Sequence, residues 1–415
     1  MTEPAVAMDW DRIRVAIPRV VEAGFAIFVV IILGAVMTVK SDVFLTTGNL
    51  QNILLQTSFL ACAAFGMTLV IIAAELDLSQ GSVLALIGVV AAETMVRNNS
   101  IVLGLLAGVG VGIAAGLFNG LITAVLKVPS FITTLGLLIM ARGLAREITA
   151  GNTVGNLPGG WKAWWSGEFI GLRMPIWVAL GLGVVYHVIL RYSRFGLRIY
   201  AVGGNAEAAR RAGINVTRVR VTVFVLGGLA VAVGGFTLLG RVNVGQPNAA
   251  VLTELYAVAA VVLGGTNLFG GRGSIPRTLA GVLLIGVIRN SLNLLNVSSN
   301  MQDVWLGVVF VLAMTSQFLR RYLDRWANRS EDTAIEVEVE HELDEERRAI
   351  ERAEQSARSG ERELQDADQT EQSARSGERE LQDADQTEQS ARSGERELQD
   401  ADQTEQSALS TSEQP

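Results

Sequence analysis

Ten stretches of this chain are each apolar over about the 20 residues that an α-helix needs to cross hydrocarbon. They run near 20–39, 52–74, 80–96, 101–126, 131–149, 175–191, 217–240, 252–270, 276–296 and 302–319. No other feature limits the fold as strongly. Inside a bilayer the backbone must satisfy its own hydrogen bonds, and a helix does so within the segment. The expected fold is all-α: a polytopic membrane helix bundle of about ten transmembrane helices. The third stretch is the least regular and rests on Val83–Val96.

Charge divides the chain in two. The formal net charge is −7, but residues 331–415 hold 27 acids and 9 bases, while the first 330 residues hold 14 acids and 25 bases. Three domains are expected: a cytoplasmic segment over 1–19, a transmembrane domain over 20–329 and an acidic low-complexity tail over 330–415. In the tail the unit EQSARSGERELQDADQT starts at Glu354, Glu371 and Glu388, with a further start at Glu405. One leucine and two alanines per unit cannot make a hydrophobic face, so the tail reads as disordered or as fluctuating helix in water.

Basic residues also set the orientation. Lys and Arg concentrate on the cytoplasmic side of membrane proteins. Arg12, Arg14 and Arg19 precede the first span, which puts the N-terminus inside. Ten spans then put both termini inside, together with 17 of the 25 bases of the body. The first apolar run is too long for a cleavable signal, and no small-residue cleavage site follows it. The single cysteine, Cys62, can make no intrachain disulfide.

The polar stretch Arg191–Arg220 holds seven arginines against one acid, Glu207. Within it Gly203, Gly204 and Asn205 can end one helix and cap the next, because an Asn side chain accepts an unpaired N–H of the first turn. Glu207, Ala208, Ala209, Arg210, Arg211 and Ala212 read as a short helix, and Gly213 suits the left-handed residue that ends it. Ile214 follows. The element reads either as a basic loop that sets topology or as a docking helix, with Ala208, Ala209 and Ala212 allowing a partner to approach closely.

Polar residues are costly in hydrocarbon and so carry information. Asp77, Ser79 and Ser82 lie between spans two and three. Asn119 ends span four, Phe131, Thr133 and Thr134 begin span five, and Asn290 and Asn293 lie in span nine beside Arg289. These residues read as helix caps and interhelix bonds, or as the lining of a path for a polar, neutral solute such as a sugar. Glu75 and Asp77 could instead form a proton or cation site. Glycines at 104, 108, 112, 116 and 120 form a small-residue ridge for tight helix packing, read first as packing within the subunit. The outside loop near 150–174 carries Trp161, Trp164 and Trp165, read as interfacial anchors or as a surface for a soluble partner.

Enzymatic readings find little support. The run Gly264–Ser274 is rich in glycine but lacks the Gly-Lys-Ser/Thr of a phosphate loop. His187 and His341 are the only histidines and have no companions. No metal site and no catalytic residue is expected.

From about Thr47 to Leu319 the chain resembles the permease subunits of ATP-binding-cassette sugar importers, in the branch that includes ribose and xylose permeases. The stretches that carry the resemblance are GNLQNILLQTSFLACAAFGMTLVI, LDLSQGSVLAL, VPSFITTLGLLIMARGL, YSRFGLRIYAVGGNAEAARRAGINV and YAVAAVVLGGTNLFGGRGSIPRTLAGVLLIGVIRNSLNLLNVSS. Many members have a glycine pair where this chain has Glu75-Leu76, and a valine where it has Gln80. The resemblance implies a subunit that moves solute and is not itself an enzyme. It implies a location in the bacterial inner membrane and pairing with a second permease subunit, read as a homodimer. A cytoplasmic ATPase would bind ATP and Mg²⁺, so that this subunit holds no cofactor. A soluble sugar-binding protein would deliver a pentose or related polyol from outside, and nucleic acid is not an expected partner. Gly203 to Ile214 would be the helix that docks on the ATPase. The competing class is a proton- or sodium-coupled secondary transporter working through Glu75 or Asp77. A membrane-embedded enzyme would need a catalytic cluster that the sequence lacks.

Overall fold

The computed structural model describes residues 26–312 and 315, and in the tail 343–353, 355, 369–370, 373 and 376–377. The chain forms two units, Met1–Arg320 and Arg321–Pro415. The described tail residues are helical and exposed. The expectation of disorder otherwise concerns residues outside the described ones, as do the N-terminal segment 1–19 and the ends of the first and last spans.

The first unit is helical, with one two-stranded hairpin, Glu168–Phe169 and Leu172–Arg173, and one isolated bridge between Val154 and Gly245. Ten helices match the ten expected spans, one for each. They are α1 (Ala26–Lys40), α2 (Thr47–Ile72), α3 (Gln80–Asn98), α4 (Ile101–Ala124) and α5 (Ser130–Thr149). After α6 (Gly159–Ser166) comes α7 (Met174–Tyr192). After α8 (Arg194–Gly204) and α9 (Ala206–Arg211) come α10 (Val216–Val242), α11 (Thr253–Leu263) and α12 (Ile275–Leu294), and α13 covers 299–312. Over the described residues six of them, α2, α3, α4, α7, α10 and α12, are long and apolar enough to cross a membrane.

Helix α2 is the axis of the bundle. From Leu60 to Ile72 its residues are all buried, although they are apolar on nearly every side. A helix apolar all round belongs in the middle of a bundle. The outer helices expose large apolar side chains instead, such as Ile139 and Leu144 on α5 and Val184 on α7. These faces fit lipid.

The glycine ridge of α4 packs within the subunit. A Cβ at Gly112 would fall 2.6 Å from the Gly228 carbonyl oxygen, and one at Gly116 would fall 2.5 Å from that of Phe224, both on α10. Without a hydrophobic driving force between helices in lipid, such close backbone approach supplies the attraction.

Two segments depart from simple spans. The chain leaves helical form after α2 and stays non-helical through 73–79 before α3 begins. Leu84, one turn into α3, already lies against Gly234 in the C-terminal half of α10. The segment therefore runs through the body of the bundle. The second segment, 243–252, folds back along α3. Its Gly245 lies against Ala92 and Gly88, and its Ala250 lies against Gly81. The 11 steps from Gly81 to Ala92 along α3 correspond to about 16 Å of descent.

The expected eighth span, 252–270, is thus shorter as a helix. Helix α11 covers only Thr253–Leu263, because Gly264 and Gly265 (φ +83) turn the chain. Its 11 residues span about 16 Å, roughly half of a bilayer core. Non-helical backbone at such depth is tolerated where protein covers it.

The three tryptophans also differ from expectation. Trp161 and Trp165 on α6 are buried, and Trp165 packs on Gly240 of α10, where a Cβ would overlap its ring. Only Trp164 stays half exposed. A glycine at 240 leaves the room that draws the indole inward.

Candidate functional site

The site has two parts that touch. The first is the pair α8–α9. Ser193 caps α8 through its hydroxyl, which accepts from Gly196 N at 3.0 Å. Asn205 then caps α9, with Oδ1 accepting from Glu207 N at 3.0 Å and from Ala208 N at 2.9 Å. Gly213 ends the turn at φ +82. The local shape follows from the cap and glycine positions in the sequence.

The alanine face is a correction. Ala208 and Ala212 are exposed, together with Gly204, Asn205, Glu207 and Gly213. Ala209 is buried in the core and Ile214 is half-buried. Residues 208 and 212 stand four apart on one side of the helix, while 209 is turned about 100° away. The outward surface is therefore Ala208 and Ala212, flanked by Arg210 and Arg211, with Glu207 paired to Arg211. Ala209 anchors the helix from beneath.

Helix α8 is pinned to the rest of the bundle by backbone contact. Gly203 lies against Ile72, the last residue of α2, so closely that a Cβ would overlap the Ile72 carbonyl oxygen. Gly271 N donates to that same oxygen at 2.9 Å. Gly270 (φ +89) fits against Ala74 and the Gly203 carbonyl. The Tyr200 hydroxyl donates to Gly273 O at 2.7 Å. Burial pushes this phenol above its ordinary value, opposed by the Arg191 and Arg277 charges, so it remains a proton donor. One end of α8 thus rests on two turns at once, the one after α2 and the one after α11.

The second part is the non-helical segment 73–79. Ala74 sits at φ +62. Glu75 forms an ion pair with Arg220 of α10 at 2.8 Å. Leu76 is held by α5: its N–H donates to Ser130 Oγ at 3.1 Å, and Thr134 Oγ1 donates to its carbonyl at 3.4 Å. Asp77 Oδ1 accepts from Ser79 N at 3.0 Å and from Ser79 Oγ at 2.6 Å. Asn119 Nδ2 donates to Asp77 Oδ1 at 3.3 Å and to Ser79 Oγ at 3.1 Å. Asp77, Ser79, Ser82, Asn119, Thr133 and Thr134 are all buried. Phe131 stands beside them on α5 and is half exposed.

Asn290 and Asn293 do not join this group. Asn290 exchanges two amide hydrogen bonds with Asn49, at 3.0 and 2.7 Å, where α12 meets the start of α2. Asn293 is exposed and accepts from Gln302 Nε2 at 3.3 Å. Asn49 begins α2 and Ile72 ends it, so the two groups are separated by the length of that helix.

Three residues absent from the sequence expectations also belong to the site. Glu254, at the start of α11, puts Oε2 against Gly81 in the first turn of α3. Arg142 Nη1 donates to the Pro247 and Ala249 carbonyls at 2.9 and 2.7 Å, and Arg146 Nε donates to Asn248 Oδ1 at 2.9 Å. The signal was available, since each is a charge inside an apolar stretch. Among the described residues no group of three or more His, Cys, Asp or Glu is placed to hold a metal ion.

Among the described residues the site lies in a helical bundle with apolar helices of membrane-spanning length and two interrupted passages. The comparisons are more specific. Residues 49–314 match the family described as the permease component of branched-chain amino acid transport systems. The ribose import permease protein RbsC of Escherichia coli strain K12 is 39% identical over 296 residues, 70% of this chain and 91% of that protein. RbsC of Bacillus subtilis strain 168 is 41% identical over 285 residues, 68% of this chain and 88% of that protein. The L-arabinose ABC transporter permease protein AraH of Azospirillum brasilense is 36% identical over 318 residues, 77% of this chain and 94% of that protein. No solved structure matches. The chain belongs to this permease-component family, within its sugar branch, and is a multi-pass membrane permease of the ABC importer type rather than an enzyme.

Proposed function

We propose that this permease carries a monosaccharide, a pentose such as ribose or xylose or a related polyol, into the cytoplasm of a bacterium across the inner membrane. A cytoplasmic ATPase docks on the outward surface of α9 and binds the ATP and Mg²⁺. An extracytoplasmic binding protein delivers the sugar, and a second copy of the chain completes the path. In this reading both termini and the α8–α9 element face the cytoplasm. Seven arginines between 191 and 220 support that orientation.

The observation that carries the reading is the contact of Gly203 with Ile72 and with the Gly270–Gly271 turn. A force on α9 has a short, stiff route through α8 into the segment that holds Asp77 and Ser79. The arrangement suits a subunit worked from outside itself. Glu75 and Asp77, the acids that a gradient-driven carrier would use, are already engaged, one with Arg220 and the other with Ser79 and Asn119.

The test is uptake of radiolabelled ribose, xylose and arabinose into vesicles holding the purified permease. The partner ATPase, the binding protein and ATP are added singly and together. Uptake is expected only with all three. Uptake by the permease alone, driven by a pH or sodium gradient, overturns the reading.

A further inference from the structure

Three buried side chains around the first turn of α3 carry polar atoms with no hydrogen-bond partner among the described residues. They are Gln80, through both Nε2 and Oε1, Asn119 through Oδ1, and Glu254 through Oε2. Their exposures are 0, 1 and 8%. Native interiors pair nearly all such atoms, because leaving one buried and unpaired costs its full desolvation.

Each is placed at the start of α3 by its own position or contact. Asn119 is bonded through its other amide atom to Ser79, which precedes Gln80. Glu254 Oε2 lies against Gly81, which follows it. The group therefore sits where the path segment 73–79 becomes helix α3, and where the returning segment 243–252 becomes helix α11.

Its chemistry narrows the ligand. Gln80 offers the two N–H donors of its amide and one acceptor oxygen, while Asn119 Oδ1 and Glu254 Oε2 are acceptors. A phosphate or carboxylate would face both Asp77 and Glu254. A bare cation would leave the Gln80 amide N–H donors without a partner. A hydroxyl group, which both donates and accepts, matches the mixed set.

We infer that Gln80, Asn119 and Glu254 form a hydroxyl-binding subsite at the start of α3, and that the hydroxyl is one of the transported sugar's. The inference rests on the sugar-permease reading above. An ordered water has the same chemistry, so the test must separate the two sources.

The full permease is reconstituted with its ATPase and loaded binding protein, as wild type, Gln80→Leu and Glu254→Gln. Uptake is measured at saturating loaded binding protein, for the preferred sugar and for deoxy analogues that each lack one hydroxyl. Yield and monodispersity in detergent check folding, and Glu254→Gln, which preserves shape, guards against a misfolded Gln80 variant. Losing one hydrogen bond in the path is expected to slow uptake of the parent sugar about tenfold in either variant. One deoxy analogue should be carried equally by variant and wild type, because it lacks the hydroxyl in question. Equal slowing for every analogue would assign the groups to water and overturn the subsite. So would unchanged rates throughout. Failure of the wild type to carry any sugar of the panel would instead bring down the sugar reading itself, and the subsite with it.

Discussion

The amide of Gly271 donates to the carbonyl of Ile72 at 2.9 Å, and Gly203 lies against that same carbonyl. One oxygen thus joins the end of α2, the turn after α11 and the end of α8. All three backbones meet without side chains between them, so their relative positions leave little slack.

Gly203 and its neighbour Gly204 are expected to respond oppositely to alanine. A Cβ at 203 overlaps the Ile72 oxygen, whereas a Cβ at 204 meets nothing within 4 Å. Forcing an extra methyl into packed structure costs about 1–3 kcal/mol. Gly203→Ala should lower the melting temperature in detergent and cut ATP-dependent uptake at least tenfold. Gly204→Ala should leave melting within a degree or two of wild type, since it touches nothing. Equal behaviour of the two would sink the idea of a tight joint at Ile72.

The two sides of α9 also separate. Ala208 and Ala212 face outward and Ala209 faces the core. Ala208→Trp should fold normally yet lose co-purification with the ATPase, because the ring occupies the approach surface. Ala209→Trp should reduce the yield of folded protein before any binding is measured. Pull-down after size-exclusion chromatography distinguishes the two outcomes. Retained ATPase binding by Ala208→Trp would move the docking surface elsewhere.

How much of this was legible beforehand depends on the range of the interactions. Hydropathy located all ten helices, because span length is a local property. Asn205 and Gly213 placed the ends of α9, since caps and left-handed glycines act within one turn. The glycine ridge of α4 announced close packing in advance. The returning segment 243–252 did not announce itself. Its Asn-Val-Gly-Gln-Pro-Asn-Ala-Ala-Val-Leu is mildly apolar, and composition does not report backbone direction. The split of the polar candidates was hidden for a different reason. Asn290 pairs with Asn49 across 241 residues of sequence, and such a partner is chosen by helix rotation and order. Ala209 was misassigned because a six-residue helix is too short for a hydrophobic period to fix its rotation.

The Glu75–Arg220 pair yields a thermodynamic prediction. Glu75 is 8% exposed at its side chain and Arg220 28%. Breaking a buried pair by removing one partner leaves the other charge without compensation, and costs more than removing both. Arg220→Met should therefore be less stable than the double variant Arg220→Met with Glu75→Gln, by about 1–3 kcal/mol on the scale of buried charges. Thermal melts of the four members of the cycle measure this. In the same vesicles, the proposed ATP-driven mechanism predicts that uptake survives Glu75→Gln at half the wild-type rate or better, since it asks no proton of the carboxylate paired with Arg220. Abolished uptake in the folded Glu75→Gln protein would revive the gradient-driven carrier.

Arg142 holds the returning segment through the Pro247 and Ala249 carbonyls. Two carbonyls on one guanidinium form charge-assisted bonds, each about twice as strong as a neutral one. Arg142→Met keeps the length of the side chain and removes both bonds. The segment 243–252 should then open more often, while the helices around it stay folded. The chain has one cysteine, Cys62, and it is buried, so Ala249→Cys supplies a single reporter thiol. A membrane-impermeant maleimide should label that thiol at least several-fold faster when Arg142 is methionine. Because the segment reaches the first turn of α3, the loosened variant should also hydrolyse ATP in the assembled complex with less dependence on the binding protein. Unchanged labelling would mean that Arg142 ornaments the segment without holding it, and the grip would then have to come from contacts such as the Val154–Gly245 bridge.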